Sequence, residues 1–548
     1  ALSSIEMWVP IWTLSSFQPG NEHCLSHTVS LEDGSKAMII FDNSKPNPQI
    51  VSVVGALCPH VGAPLESGVI HGEHVVCPWH AACFNIYTGD IESGPSIHSI
   101  PVYSHRVKEG ALEIEVHPET KAPIQVKRPV SPPPIDSSST KVVIVGGGAA
   151  GHAAISILIE NGFAGTISLI SEENVLPYDR PSMSKNMAKP MEALLLCPDT
   201  YYQGRVQLML GRTVVACKTA DKNVVLDNKT SVPYDKLIIA TGGTPRTLNV
   251  PGSGLGNIFT LRSSTDAAAI DAKAEFAKHI VIIGAGFIGL EAASYFIRNH
   301  EAESVTVLQH CNSPPLAAIF GESVGKCVQE LHESNGVQFL FDCVANEFLP
   351  GVSADVVGQI RTTKGVIPAD LVVIGIGVVL NTSFVQNAVK MEQGEVIVNH
   401  YMQTSNQDIY AAGDIARFPL WNISGTGRSE HWAVAQNQGR AAARHILGMV
   451  KPFRTTPFFW TMQYGQSIRY AGYPVKYDRI IVDGDLKSRK FLAFYISDGQ
   501  VVSVVSLGRD PMVAAAMELF RHNRMPSAAE LDKDPSTRDL VSLMCGRK

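Results

Sequence analysis

Positive charge is in short supply in this chain. Its 45 Lys and Arg stand against 51 Asp and Glu, a formal net charge of −6 at pH 7. A nucleic-acid-binding surface wants the opposite sign, so no nucleic acid is expected as a partner. Cysteine is sparse as well: there are ten in 548 residues, and only Cys58, Cys77 and Cys83 lie near one another. That count excludes a disulfide scaffold and fits a reducing compartment, so an intracellular place, cytoplasmic or mitochondrial, is expected. Uninterrupted apolar runs are missing too. Residues 142–159 (VVIVGGGAAGHAAISILI) and 280–297 (IVIIGAGFIGLEAASYFI) come nearest to a membrane span, but a glycine cluster breaks each of them. No transmembrane segment is expected. The N-terminal residues carry no basic, apolar leader, and no cellular address is read from them.

What is present falls into ordered blocks. A prior of one domain per ~150 residues predicts three or four domains. Residues 1–118 hold short runs such as KAMIIFD, QIVSVVG, HVVCPWH and ALEIEVH between Gly, Pro and Asp, which predicts a small all-β domain. Residues 119–140 carry five prolines in 22 positions and end in a serine run, the composition of a linker. The pattern then turns to strand, glycine loop and helix, first at KVVIVGGGAAGH and again 138 residues later at HIVIIGAGFIGL. Two such units predict two Rossmann-like α/β domains. We expect the first over 141–265 and 391–454, the second over 266–390, and a C-terminal α+β domain over 455–548 with a helix around Pro511–His522.

The first glycine loop, Gly146, Gly148 and Gly151, spells G-x-G-x-x-G between a strand and a helix. The three glycines serve a tight turn, close approach of backbone to a pyrophosphate, and helix–strand packing, and the helix N-terminus faces the phosphates. Glu172 ends the next strand 26 residues after Gly146, where a carboxylate binds a ribose diol. The second loop, Gly284, Gly286 and Gly289, repeats the pattern, so a second dinucleotide is expected. Its strand ends at Gln309, 25 residues after Gly284. An amide can bond a diol but neither repels nor attracts a 2′-phosphate, so NADH and NADPH both stay open, with a lean to NADH because no Arg follows. Within residues 57–80, Cys58, His60, Cys77 and His80 make a C-x-H and a C-x-x-H pair. Two thiolates and two imidazoles suit zinc or an iron–sulfur centre alike.

Several ordered motifs carry a resemblance: LPYDRPSMSK, LIIATGGTPR, TLRSSTDA, GIGVVLNT, DIYAAGD and EHWAVAQNQG. They are similar to those of the FAD-dependent ferredoxin reductases, over about residues 141–548. With the cysteine–histidine block, the chain resembles the Rieske-containing branch of the apoptosis-inducing-factor-like flavoproteins. The resemblance implies FAD with Glu172 on its ribose, Arg180 and Lys185 on the flavin side, and Asp414 at the ribityl–pyrophosphate region. It pairs Glu291 with Lys185, lays Phe287 over the ring where nicotinamide stacks, and sets Glu430, His431 and Trp460 on the other side. The C-x-x-x-x-C pair of the disulfide reductases that share this fold is absent, so an outward electron path is expected.

CPHVGAPLESG and CPWHAACFNIYTGD in turn resemble a Rieske centre. There Cys58 and Cys77 would bind one iron of a [2Fe–2S] cluster, and His60 and His80 the other. High-potential Rieske proteins carry a disulfide and hydroxyl donors at positions that here are Ala63, Trp79, Ala82 and Phe84. Their absence implies a low-potential centre, with Cys83 as a buried free thiol. The implied activity takes electrons from NADH or NADPH through FAD to the chain's own cluster and on to an acceptor, protein or small molecule, that the sequence does not name. The alternatives are a redox-sensing, apoptosis-related signalling flavoprotein and the reductase component of a Rieske oxygenase system. An oligomer is compatible with all three.

Gln309 leaves the 2′ position undefended, so kcat/KM for NADH and NADPH should differ by less than roughly a thousandfold, about 4 kcal/mol. Steady-state measurement with both nucleotides checks this, and a larger ratio would mean that another residue reads the 2′ position.

Overall fold

The computed structural model describes residues 7–13, 26–42, 49–125, 140–421, 423–473 and 475–544. The N-terminal part is all β, in three small antiparallel sheets. Strand Lys36–Asp42 shows how its short runs form a core. Met38 and Ile40 face one apolar cluster while Ala37, Ile39 and Phe41 face another, so the strand is buried on both sides. Residues 119–125, expected to be linker, belong to this unit instead. The chain turns back there: Ile124 N–H donates to the Glu115 carbonyl (2.7 Å) and Gln125 bridges to Tyr103. A linker reading is thereby displaced to 126–139, which lie outside the described residues.

Both glycine loops open the parallel sheets that the sequence predicts. The first sheet runs Val206–Leu210, Thr166–Ser171, Lys141–Val145, Lys236–Ile239, Ile409–Ala411, and the second Ile258–Thr260, Leu371–Ile374, His279–Ile283, Ser304–Leu308, Val337–Leu340. Within each, neighbouring strands pair in parallel. Burial on both faces explains their continuous Val, Ile and Leu runs. The boundaries differ from the sequence reading. Ile258–Thr260 already pairs with Leu371–Ile374, and Gly243–Pro245 pairs with Val378–Leu380 where the chain crosses out and back. The second unit therefore spans about 246–377, not 266–390, while Val385 and Val389 pack into the core of the first. The two strands of the crossing lie within LIIATGGTPR and GIGVVLNT, but nothing in either motif announces that they pair.

The C-terminal unit is a five-stranded antiparallel sheet, in the order Phe458–Gln463, Gln466–Gly472, Gln500–Leu507, Lys490–Ser497, Arg479–Asp485, with helix Met512–Arg521 packed on it. No helix among the described residues is long and apolar enough to cross a membrane.

Helix Ala149–Glu160, after the first glycine loop, lies against helix Trp432–Ile446 at very close range. A Cβ on Gly439 would stand 2.0 Å from the Ala150 carbonyl oxygen, which is backbone and cannot step aside. Gly439→Leu should therefore lower stability by about 2 kcal/mol or more. Thermal unfolding and FAD retention measure it, and an unchanged midpoint would contradict so close a crossing.

Candidate functional site

The two cysteine–histidine loops close in the same way. Cys58 N–H donates to the Ala63 carbonyl (2.8 Å) and Gly62 N–H returns to Cys58 (2.8 Å); Cys77 N–H donates to Ala82 (2.8 Å) and Ala81 N–H returns to Cys77 (3.1 Å). The fourth residue after each cysteine takes a left-handed conformation, φ +77° at Gly62 and +56° at Ala81. These turns bring the predicted ligands together in two pairs, Cys58 with Cys77 and His60 with His80. Both cysteines are buried, and the Nδ1 atoms of His60 and His80 face each other at 3.1 Å. Burial lowers the pKa of both imidazoles, to about 2 at His80, which favours the neutral form that ligates metal. Two free sulfurs and two neutral ring nitrogens fit a [2Fe–2S] cluster bridging a cysteine pair and a histidine pair. Ala63, Ala82 and Phe84 are fully buried, and none offers a hydroxyl. Cys83 is a buried free thiol, its pKa raised first by burial.

The outer glycines of both loops sit where backbone packs too closely for a side chain. A Cβ on Gly146 (φ +112°) would lie 2.2 Å from the Ala240 carbonyl oxygen, and one on Gly151 2.0 Å from that of Gly146. In the second loop the distances are 2.4 Å for Gly284 (φ +108°) and 2.1 Å for Gly289. At the middle glycines, Gly148 and Gly286, a Cβ would meet nothing within 4 Å. Neither following helix has a side-chain cap or an acidic residue in its first turn. An open approach to uncapped N–H groups fits a dinucleotide pyrophosphate in both places. Glu172 follows strand Thr166–Ser171 with its side chain exposed, and Gln309 follows Ser304–Leu308, its amide donating to Cys311 Sγ (3.3 Å).

Lys185 Nζ donates to Glu291 Oε2 and to the Pro181 carbonyl, both at 3.0 Å. Ser184 and Thr461 hydroxyls also donate to Glu291, the latter at 2.7 Å, so this buried carboxylate is fully engaged. Ser184 stands in the LPYDRPSMSK motif beside Lys185, whereas Thr461 stands in no motif that would have announced it. Arg180 is held by Glu173, the Tyr178 hydroxyl (2.7 Å) and the Arg262 carbonyl (2.9 Å). Asp414 lies 4.0 Å from Arg262, and burial pushes its carboxyl pKa up. Phe287 and His431 both pack on Phe459, with ring centroids 4.9 and 4.2 Å away, and burial keeps His431 neutral, its pKa lowered to about 4. Glu430 is turned outward to Arg428 (2.6 Å) and is half exposed, apart from that aromatic group.

Strand Phe458–Gln463 separates two environments by simple alternation of side chains. Phe459 and Thr461 point to Phe287 and Glu291. Trp460 between them points the other way, onto the cysteine–histidine domain, its ring 4.2 Å from that of His80 and 5.7 Å from that of His60. A cavity of about 990 Å³ beside these rings is also lined by Lys185.

The N-terminal domain is docked by contacts that no motif foretold. Helix Trp432–Ile446 offers Asn437, which accepts from Gly94 N–H (2.9 Å) and donates to Ser93 (2.8 Å), and Arg440, which donates to the Ser96 carbonyl (2.9 Å). Arg469 donates to the Trp79 carbonyl (2.5 Å) and pairs with Asp510 (2.7 Å). Val69, Val76, Ala81 and Cys83 share one apolar cluster with Val513 and Met517. The buried Gln436, Asn437, Gln438 and Arg440 in an alanine-rich helix were the available signal, since buried polar groups need partners.

A cluster-binding domain seated on a reductase with two dinucleotide sites defines a class: pyridine-nucleotide-dependent oxidoreductases with a built-in iron–sulfur relay. Sequence comparison agrees, matching "Rieske [2Fe-2S] domain" over residues 7–104, "Pyridine nucleotide-disulphide oxidoreductase" over 140–439 and "Reductase C-terminal" over 458–542. The chain belongs to the pyridine nucleotide-disulphide oxidoreductase family, although all its described cysteines are free. It is 34% identical to apoptosis-inducing factor 3 of Homo sapiens over 531 residues, 93% of this chain and 86% of that one. Putidaredoxin reductase of Pseudomonas putida is 31% identical over 389 residues, 69% of this chain and 90% of the other. The crystal structure of the covalent putidaredoxin reductase–putidaredoxin complex matches with a TM-score of 0.70 at 30% identity, covering 75% of this chain and 99% of that one. The chain is thus an NAD(P)H-dependent oxidoreductase with FAD and a Rieske [2Fe–2S] centre.

Hydrogen bonds to the cluster sulfurs stabilise the reduced, more negative centre. Ala82→Ser and Phe84→Tyr should each raise the reduction potential, and the double variant should raise it further. Protein-film voltammetry measures this; unchanged potentials would mean that neither hydroxyl reaches the centre.

Proposed function

We propose that NAD(P)H is oxidised at the Phe287–Lys185–Glu291 side of the molecule and that electrons leave through Trp460 toward the His60/His80 edge, within one chain. The observation that carries this reading is the contact of the Trp460 ring with both imidazoles. When bound, FAD supplies the exchange between a two-electron hydride and single electrons, and the [2Fe–2S] centre supplies a one-electron relay.

The residues position and insulate rather than exchange protons. Lys185 and Glu291 neutralise each other in a buried setting, fixed from both sides by Ser184 and Thr461. Phe287, at the first turn of its helix, is the side chain a nicotinamide would meet on leaving the open approach over Gly286. Trp460 fills the space between strand and imidazoles with aromatic carbon. In this reading Glu172 and Asp414 bind the FAD ribose and ribityl regions, while Gln309 serves the NAD(P)H ribose.

An acceptor would reach the same edge from the cavity beside His60 and His80. Lys189, Lys487 and Lys490 line it, which suits an acceptor that carries negative charge. Among the relatives, one is the ferredoxin–NAD(+) reductase component of a p-cumate 2,3-dioxygenase system, so an oxygenase is one class of acceptor to try.

Stopped-flow reduction by NADH should show cluster reduction at a rate independent of protein concentration. Trp460→Leu should slow cluster reduction at least tenfold while leaving flavin reduction by NADH unchanged. A rate proportional to protein concentration, or equal cluster reduction in the variant, would rule out this path.

A further inference from the structure

Away from the redox centres, a second group of metal-ligating side chains spans the seam between the Rieske and C-terminal domains. His71 comes from the hairpin strand Val69–His71 of the Rieske domain. Glu518 comes from helix Met512–Arg521, and His522 follows four residues later, at its C-cap. One ligand atom from each of the three lies within 4.8 Å of the other two, and the rings of His71 and His522 are 4.6 Å apart, centroid to centroid.

The carboxylate is the telling element. Glu518 is only 2% exposed, and its two oxygens are treated differently. Oε1 lies 3.6 Å from Arg521, whereas Oε2 has no hydrogen-bond partner, the nearest imidazole nitrogen standing at 3.5 Å. A buried carboxylate oxygen with no donor is costly and asks for a positive partner. Two imidazoles converge on it from different domains. Two histidines and one glutamate are a donor set that zinc-type divalent cations take, with water in the fourth position. Arg521 neutralises one oxygen and leaves the other available for ligation.

We propose that His71, Glu518 and His522 bind one zinc-type divalent cation that pins the Rieske domain to the C-terminal domain. Because its ligands come from both sides of the seam, the ion binds the docked arrangement and not a separated one. It thereby favours the state in which His60 and His80 stand on Trp460, by mass action on the docked form. The proposal stands on this seam alone and does not depend on the electron path proposed above.

The test is a zinc titration of the full chain carrying its FAD and cluster, in competition with a chromophoric chelator. Iron, sulfide and the visible Rieske spectrum are checked before and after. One zinc per chain should bind with the cluster intact, and His71→Gln, Glu518→Gln and His522→Gln should each weaken binding at least tenfold. Hydrogen exchange in the segments Val69–His71 and Met512–Arg521 should slow on adding zinc in the wild type and not in His71→Gln. Zinc bound equally by the variants, bound only with loss of iron, or not bound stoichiometrically would each overturn the proposal. His522 is 38% exposed, so His522→Gln leaves the packing of the seam in place and decides the matter should the Glu518 variant fail to fold.

Discussion

Everything in this molecule depends on holding two imidazoles against one indole. Electron transfer weakens steeply with distance, so on the proposed path the Rieske domain serves its own reductase while His60 and His80 stay on Trp460. The grip is partly apolar, through Val69, Val76, Ala81 and Cys83, and partly a set of buried polar contacts. Arg440 is the most demanding of these. It is buried with only neutral partners, Asn437 and the Ser96 carbonyl, and burial brings its pKa down to about 10. Removing either partner would leave a buried charge short of donors' targets, so the contact is specific as well as strong.

A single strand then separates two chemistries. Because side chains alternate, Phe458–Gln463 presents Phe459 and Thr461 to Phe287 and Glu291, and Trp460 to His60 and His80. A one-residue slip in its pairing with Gln466–Gly472 would exchange these faces. Burial of both faces makes such a slip costly. The tight turn at Tyr464 and Gly465, both at positive φ, fixes the register further.

Joining relay and reductase in one chain replaces a collision with a docked contact. A tethered partner reaches effective concentrations in the millimolar range without any added contact energy. In the putidaredoxin reductase–putidaredoxin complex two proteins are joined covalently, whereas here the Rieske domain precedes the reductase in the same chain. Seen this way, the polar side chains of Trp432–Ile446 are a docking surface built into the helix that also crosses Ala149–Glu160.

The sequence by itself determined the cofactor loops, because their chemistry is local. Glycines at fixed offsets, and cysteine and histidine two and three residues apart, specify turns and ligands within a few residues of chain. It also determined the number and type of domains, since period and composition change abruptly between them. The domain edges were less legible. The pairing of Gly243–Pro245 with Val378–Leu380 is announced by no composition of its own, and the return of residues 119–125 onto the β domain is hidden by Pro123 and the charges of Glu119 and Lys121. Only the tertiary structure decided that Ser184 and Thr461 secure Glu291, that Glu430 turns outward, that Arg440 and Arg469 clasp the Rieske domain, and that His71 meets Glu518 and His522. Apart from Glu430, which pairs with Arg428 two positions away, these contacts join residues more than a hundred positions apart. Their geometry is set by how rigid domains settle on one another, and no spacing along the chain encodes that.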